Sequence, residues 1–131
     1  MMQSNWDKPL LYRYACLLLA FALTGLLKLD VASAQSVRPA SDGTGTLVTQ
    51  DGQIFEIEAG SLSADGENLF HSFQLFQPNR GEIVNFLADP AIQNIFARIN
   101  GRNPSVIDGL LQISDSQANL FLMNPAGVIF G

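Results

Sequence analysis

The sequence predicts an all-β domain behind a short apolar leader. Three observations carry this. Short apolar runs recur with Gly, Pro, Asn and Asp turn signals about every 8–12 residues. Only one brief stretch has helical periodicity. The last two runs, LFLM and VIF, are continuous rather than alternating, which suits strands covered on both faces, as in parallel sheets. Composition leaves a solenoid and a two-layer sandwich both open.

The chain has 131 residues, 47% of them apolar, and these are unevenly spread. Lys8 and Arg13 precede an uncharged run from Tyr14 to Leu27, followed by Lys28, Asp30 and Ala32-Ser33-Ala34. The run is shorter than the roughly 20 apolar residues a spanning helix needs. A basic start, a short apolar helix and a small-x-small site read as a secretory signal peptide over 1–34, cleaved at Ala32 and Ala34 to leave Gln35 first. The expectation is a chain that crosses the inner membrane and keeps no stable membrane anchor. Cys16, Trp6, Tyr12 and Tyr14 all lie in this leader, so the processed chain would have no Cys for a disulfide or metal site. Beyond it stand four Arg, no Lys and ten carboxylates, a balance that argues against nucleic acid and anionic lipid as partners.

The elements follow in order. Residues 35–45 read as a flexible polar lead-in. Strands are expected at 46–49 and 53–58, joined by Asp51-Gly52, a strong hairpin signal because Gly takes φ > 0 without a Cβ clash. In the second, Phe55 and Ile57 face one way and Glu56 and Glu58 the other. Residues 69–76 (LFHSFQLF) form the next strand, 82–87 another. Asp89 and Pro90 then read as the start of a short helix, with Ile92, Ile95, Phe96 and Ile99 at i, i+3, i+4, i+7 and Asn100-Gly101 as its stop. Strands at 106–113, 120–123 and 128–130 complete the chain.

Asn124-Pro125-Ala126-Gly127 is a turn signal with a mechanism. Asn at the first position bonds the backbone two residues on, Pro fixes φ at the value the turn requires, and Gly leaves the turn without strain. A second Asn-Pro, Asn103-Pro104, also precedes a strand, and Asn-Leu-Phe occurs at Asn68 and at Asn119. The interval between the two Asn-Pro pairs suits one coil of a β-solenoid.

Chemistry is poorly represented. His71 is the sole His and sits in a strand among Phe and Leu, which reads as structural; Ser72 beside it would face the opposite side. Glu56 and Glu58 read as a solvated face rather than a paired-carboxylate or Ca²⁺ site. Gly43-Thr44-Gly45 lacks the Lys of a phosphate loop. Asp65, Asp89, Asp108 and Asp115 share no common offset. No enzyme and no cofactor are expected. A small surface adhesin or carbohydrate-binding module is the alternative, although the processed chain would offer no Trp or Tyr platform.

FEIEAG, NLFHSFQLF, IQNIFARINGRNPSVIDGLL and ANLFLMNPAGVIFG, in that order after a signal peptide, resemble the N-terminal two-partner secretion domain of filamentous-haemagglutinin-type exoproteins. The version with NLFHSF and NLFLxNPxGxxFG resembles that of cyanobacterial members. The resemblance covers 45–131 and implies a right-handed parallel β-helix with an N-terminal cap over 46–131. It implies passage through the Sec translocase and the periplasm. Recognition by POTRA domains of an outer-membrane barrel transporter would follow, leaving a secreted or cell-surface product. The segment would serve as a type V secretion address and as a folding seed for a repetitive passenger. The family's Asn-Pro-Asn-Gly motif maps onto Asn124, Pro125, Ala126 and Gly127, with Ala126 departing from it; the turn is expected to survive. Asn103-Pro104-Ser105 falls where relatives also show Asn-Pro-Ser. The family pattern normally continues past Gly131, so the domain is expected to be incomplete at its C-terminus.

Overall fold

The computed structural model describes residues 34–131. The expected signal-peptide helix, with Ala32 of its cleavage site, lies outside the described residues. Among those described, eleven strands form and no helix does.

β2 (Thr46–Asp51) and β3 (Ile54–Ala59) make the antiparallel hairpin that Asp51-Gly52 announces, with Asp51 opposite Ile54 and Gly52 at φ 59°. From there the pairing turns parallel. β3 pairs with β6 (Ile83–Leu87) and β6 with β9 (Leu110–Ser114), setting Ile54, Ile83 and Leu110 in line. β5 (Asn68–Phe76) pairs with β7 (Asn94–Ile99) and β7 with β10 (Asn119–Met123), aligning Asn68, Asn94 and Asn119. β8 (Ser105–Ile107) pairs with β11 (Val128–Phe130), Ser105 opposite Val128. The chain therefore visits three sheets in turn. Its returns, from Ile54 to Ile83 or from Asn68 to Asn94, are longer than the interval between the two Asn-Pro pairs implies.

The two ends of this stack differ. Antiparallel strands close one: β2 lies on β3, while β1 (Val37–Pro39) and β4 (Ser61–Leu62) lie on β5. Part of the lead-in is thus structured. At the other end β9, β10 and β11 are edge strands. Two of the sheets are mixed, the β8–β11 pair is parallel, and none is closed.

The core follows from strand alternation. Phe55 and Ile57 of β3, Val84 and Phe86 of β6, Leu69 and Phe73 of β5, and Ile95, Ala97 and Ile99 of β7 point inward and are buried, with Val37 and Phe76 beside them. Phe73 meets Phe76 edge-on at 4.9 Å and Phe86 at 6.3 Å. Each buried Phe contributes about 1.5–3 kcal/mol by leaving water. Burial fades toward the edge strands, where Leu111, Ile113, Leu120, Leu122 and Val128 pack against the core but are only partly buried.

Three sequence expectations are corrected. The helix expected after Asp89-Pro90 does not form. The start signals make a turn instead: the Asp89 carboxylate accepts the Ala91 N–H at 2.9 Å and its carbonyl accepts the Ile92 N–H. Residues 94–99 extend into β7, burying Ile95, Ala97 and Ile99 at i, i+2, i+4 between two parallel neighbours. Ile-rich residues suit a pleated surface, and tertiary pairing outweighs so short a helical pattern. The strand expected at 106–113 divides at Asp108-Gly109, where the chain passes from one coil to the next. β10 and β11 do pair in parallel with β7 and β8 but are not covered on both faces. Phe121 and Met123 are each 44% exposed, and Ile129 and Phe130 more so.

Gly60 closes the capped end. It sits at φ +85°, and a Cβ there would lie 2.6 Å from the Phe70 carbonyl oxygen and 2.9 Å from the His71 ring. Gly60→Ala is expected to lower stability by about 2 kcal/mol or more, measured by urea unfolding; an unchanged midpoint would contradict this packing.

Candidate recognition site

The two Asn-Pro turns, separate in sequence, are neighbours in space. The Asn124 side chain holds them together. Its Nδ2 donates to the Asn103 carbonyl at 3.0 Å and to Ser105 Oγ at 2.9 Å. Its Oδ1 accepts the Ala126 N–H at 2.9 Å, the turn bond the sequence predicts. The Asn124 carbonyl accepts the Gly127 N–H at 3.0 Å, and the Gly127 carbonyl in turn accepts from the Ser105 N–H at 3.0 Å. Gly127 is needed for its φ of +114° rather than for space, since nothing lies within 4 Å of where its Cβ would be. Pro104, Pro125 and Ala126 are exposed, so the corner presents two stacked turns to solvent. The turn survives with Ala126 at its third position. Ala34 and Gln35 are exposed at the start of the described chain.

A ladder runs along the outward face of β5, β7 and β10. Asn68-Leu69-Phe70, Asn94-Ile95-Phe96 and Asn119-Leu120-Phe121 occupy matching positions. Asn94 Nδ2 donates to Asn68 Oδ1 at 3.0 Å, and Asn119 Nδ2 to Asn94 Oδ1 at 3.2 Å. The rings of Phe70 and Phe96 stack at 5.4 Å and those of Phe96 and Phe121 at 5.0 Å, within 16° of parallel. These spacings are close to the distance between paired strands, about 4.7–4.9 Å. Sequence reading finds the first and third triplets and misses the second, because Ile95 and Phe96 also fit the helical pattern. The available signal is that Asn94 stands almost midway between Asn68 and Asn119.

Where the lead-in meets the ladder, Asp42 fastens the chain. Its carboxylate accepts from the Ser72 hydroxyl, from the Thr44 N–H at 3.1 Å and from Asn100 Nδ2 at 2.9 Å. These donors, Ser72 foremost, hold its pKa down at about 2. On the inner side of β5, His71 is 1% exposed between Phe73 and Phe86. Thr46 Oγ1 lies 3.3 Å from its Nδ1 and accepts the Ser72 N–H, while its Nε2 is buried without a partner among the described residues. Burial lowers its pKa to about 4.

Glu56 and Glu58 share the outer face of β3, as expected, and the sole ion pair among the described residues, Arg80 with Asp108 at 3.9 Å, is well exposed and contributes little. Among the described residues no group of three or more His, Cys, Asp or Glu is placed to hold a metal ion, and no helix is long and apolar enough to cross a membrane.

The chain's class is therefore that of an all-β domain of stacked strands whose distinguishing surfaces are turns and edges rather than a pocket of reactive groups. The chain belongs to the family of TPS secretion domains, whose model matches residues 33–131. Neither a curated protein nor a solved structure matches it. Membership makes it a secretion-targeting domain of a two-partner exoprotein, which implies a secreted product and an outer-membrane transporter as partner.

Two outcomes follow. Asn124→Ala removes the side-chain bonds to Asn103, Ser105 and Ala126 and is expected to cost about 1–3 kcal/mol, measured by denaturant unfolding; no loss would contradict the stacked-turn geometry. The second concerns pH. The unfolded chain binds a proton on His71 near pH 6.5 and the folded chain only near 4, so stability is full above about 6.5 and falls as pH drops toward 4. The drop is about 3 kcal/mol. His71→Leu should flatten it over that window; a variant as pH-dependent as the parent would contradict the assignment.

Proposed function

We propose that the chain is the transport address and folding seed of a two-partner exoprotein. After export by the Sec translocase and removal of residues 1–34, the POTRA domains of an outer-membrane barrel recognise it in the periplasm. The stacked coils belong to a right-handed parallel β-helix that grows away from the antiparallel cap.

The observation that supports this reading is the asymmetry of the stack. Antiparallel strands cover the end nearer the start of the chain, and beyond that end every strand pairing is parallel. A stack built this way lays down its coils in chain order from the capped end, the order in which a chain threaded through a pore emerges. Open edges also suit strand addition by a partner, which takes its affinity from main-chain hydrogen bonds. The stacked corner of Asn103-Pro104 and Asn124-Pro125 is the second contact. Its two turns are bonded together, its prolines are exposed and its four residues are uncharged. None of this needs a cofactor.

A reporter fused behind residue 131 tests the reading in cells with a matching transporter. Replacing Asn124 and Pro125 together by Ala is expected to cut export about tenfold or more while reporter accumulates in the periplasm. Ala126→Asn, which restores the family pattern, should export at least as well as the parent. Unchanged secretion of the double variant, despite a measured loss of stability, would remove the turn from recognition.

A further inference from the structure

We propose that Asn100 is a site of spontaneous deamidation whose product releases the lead-in from the capped end. This goes beyond the export reading and does not depend on it.

Asn100-Gly101 is the only Asn-Gly pair in the chain. Glycine has no Cβ to keep its backbone nitrogen away from the preceding side chain. That nitrogen can attack Cγ of the Asn100 side chain. The new C–N bond closes a succinimide ring, and the amide nitrogen leaves as ammonia with the proton that the glycine N–H gives up. Water then opens either ring carbonyl, leaving aspartate or isoaspartate at 100. The fold cannot exchange the glycine for a slower neighbour, because a Cβ on residue 101 would overlap the Gln74 carbonyl oxygen.

The amide at risk holds three parts of the chain together. Asn100 follows β7 and is exposed. Its Nδ2 donates to Asp42 of the lead-in at 2.9 Å and to Ser72 Oγ of β5 at 2.7 Å. The Ser72 hydroxyl donates to the same Asp42 oxygen. The three side chains form a closed triangle, and the amide supplies two of its bonds. Deamidation puts a carboxylate oxygen where the donor stood. Both bonds are lost, and a second negative charge faces Asp42, which its donors hold ionised. One Ser72 proton is left between two carboxylates. Arg98 lines the same hollow but forms no ion pair among the described residues.

The same bonds decide when the reaction runs. Ring closure must break both, so the folded chain guards its amide. The unfolded chain has no such restraint. A chain held unfolded therefore ages at Asn100, and the damage appears once it folds.

The test ages the full chain in two portions, one folded and one in urea, at the same pH and temperature. Peptide mass spectrometry reads the replacement of amide by acid at each asparagine. Conversion at Asn100 is expected to be about tenfold or more faster in urea, and there to outrun Asn79 and Asn103. Amide hydrogen exchange then compares the folded parent with Asn100→Asp and Asn100→Ala. The readouts are the Ala40 N–H, bonded to the Ser72 carbonyl, and the Thr44 N–H, bonded to Asp42. Asn100→Asp is expected to speed both about tenfold, and Asn100→Ala, which loses the bonds without adding the charge, about threefold. Failure of Asn100→Asp to fold where Asn100→Ala folds supports the charge effect in a stronger form. If neither folds, the urea-aged parent is refolded, and its converted and unconverted molecules are compared by mass in one sample. Equal conversion in the two portions, or another asparagine converting first, overturns the site. Lead-in exchange in Asn100→Asp as slow as in the parent, which pairing with Arg98 would give, overturns the release.

Discussion

The structure depends on in-register parallel pairing of β5, β7 and β10. Because side chains alternate along a strand, aligning Asn68, Asn94 and Asn119 also decides what every neighbour does. Leu69, Ile95 and Leu120 are sent inward, and Phe70, Phe96 and Phe121 are sent outward to stack. The strand spacing suits face-to-face aromatic contact and side-chain amide bonds equally well. One alignment therefore satisfies the core, the outer polar ladder and the outer aromatic ladder together. Agreement of several weak terms on one register selects a single fold over its slipped competitors.

Much of this is legible in the sequence, and the misreadings have physical causes. Asp51-Gly52 specifies its hairpin because only a residue tolerant of φ > 0 fits there. Asn124 makes the turn bond expected of it because that bond is local. The pairing of Asn103-Pro104 with Asn124-Pro125 is hinted at by their spacing, but the Asn124 bonds across the coils cannot be read from either segment. Residues 90–99 mislead for a different reason. Ile92, Ile95, Phe96 and Ile99 satisfy a helical template, yet Ile95, Ala97 and Ile99 satisfy a strand template too. A short segment is decided by its neighbours, here β5 and β10. The same ambiguity hides the middle triplet, and with it the ladder. The outward Phe121 of LFLM reads as evidence of cover on both faces, whereas it stacks on Phe96 of the neighbouring strand.

Three of the buried polar groups, Thr46, His71 and Ser72, serve the capped end. Thr46 and His71 tie β2 to β5 from inside, and Asp42 ties the lead-in to Ser72 and Asn100 from outside. Among the described residues one His71 nitrogen has no partner and lies among aromatic rings, a cost borne where the cap fits tightly against Gly60. The antiparallel end of the stack is thus fastened from both sides.

The most direct measurement of the central claim is a set of nuclear Overhauser contacts in the isotope-labelled domain. The account predicts contacts between the side chains of Asn94 and Asn119 and between the rings of Phe96 and Phe121, with extended-strand contacts throughout residues 94–99. Helical contacts between Ile92, Ile95 and Ile99, or a ladder displaced by one residue so that Phe96 meets Leu120, would contradict it.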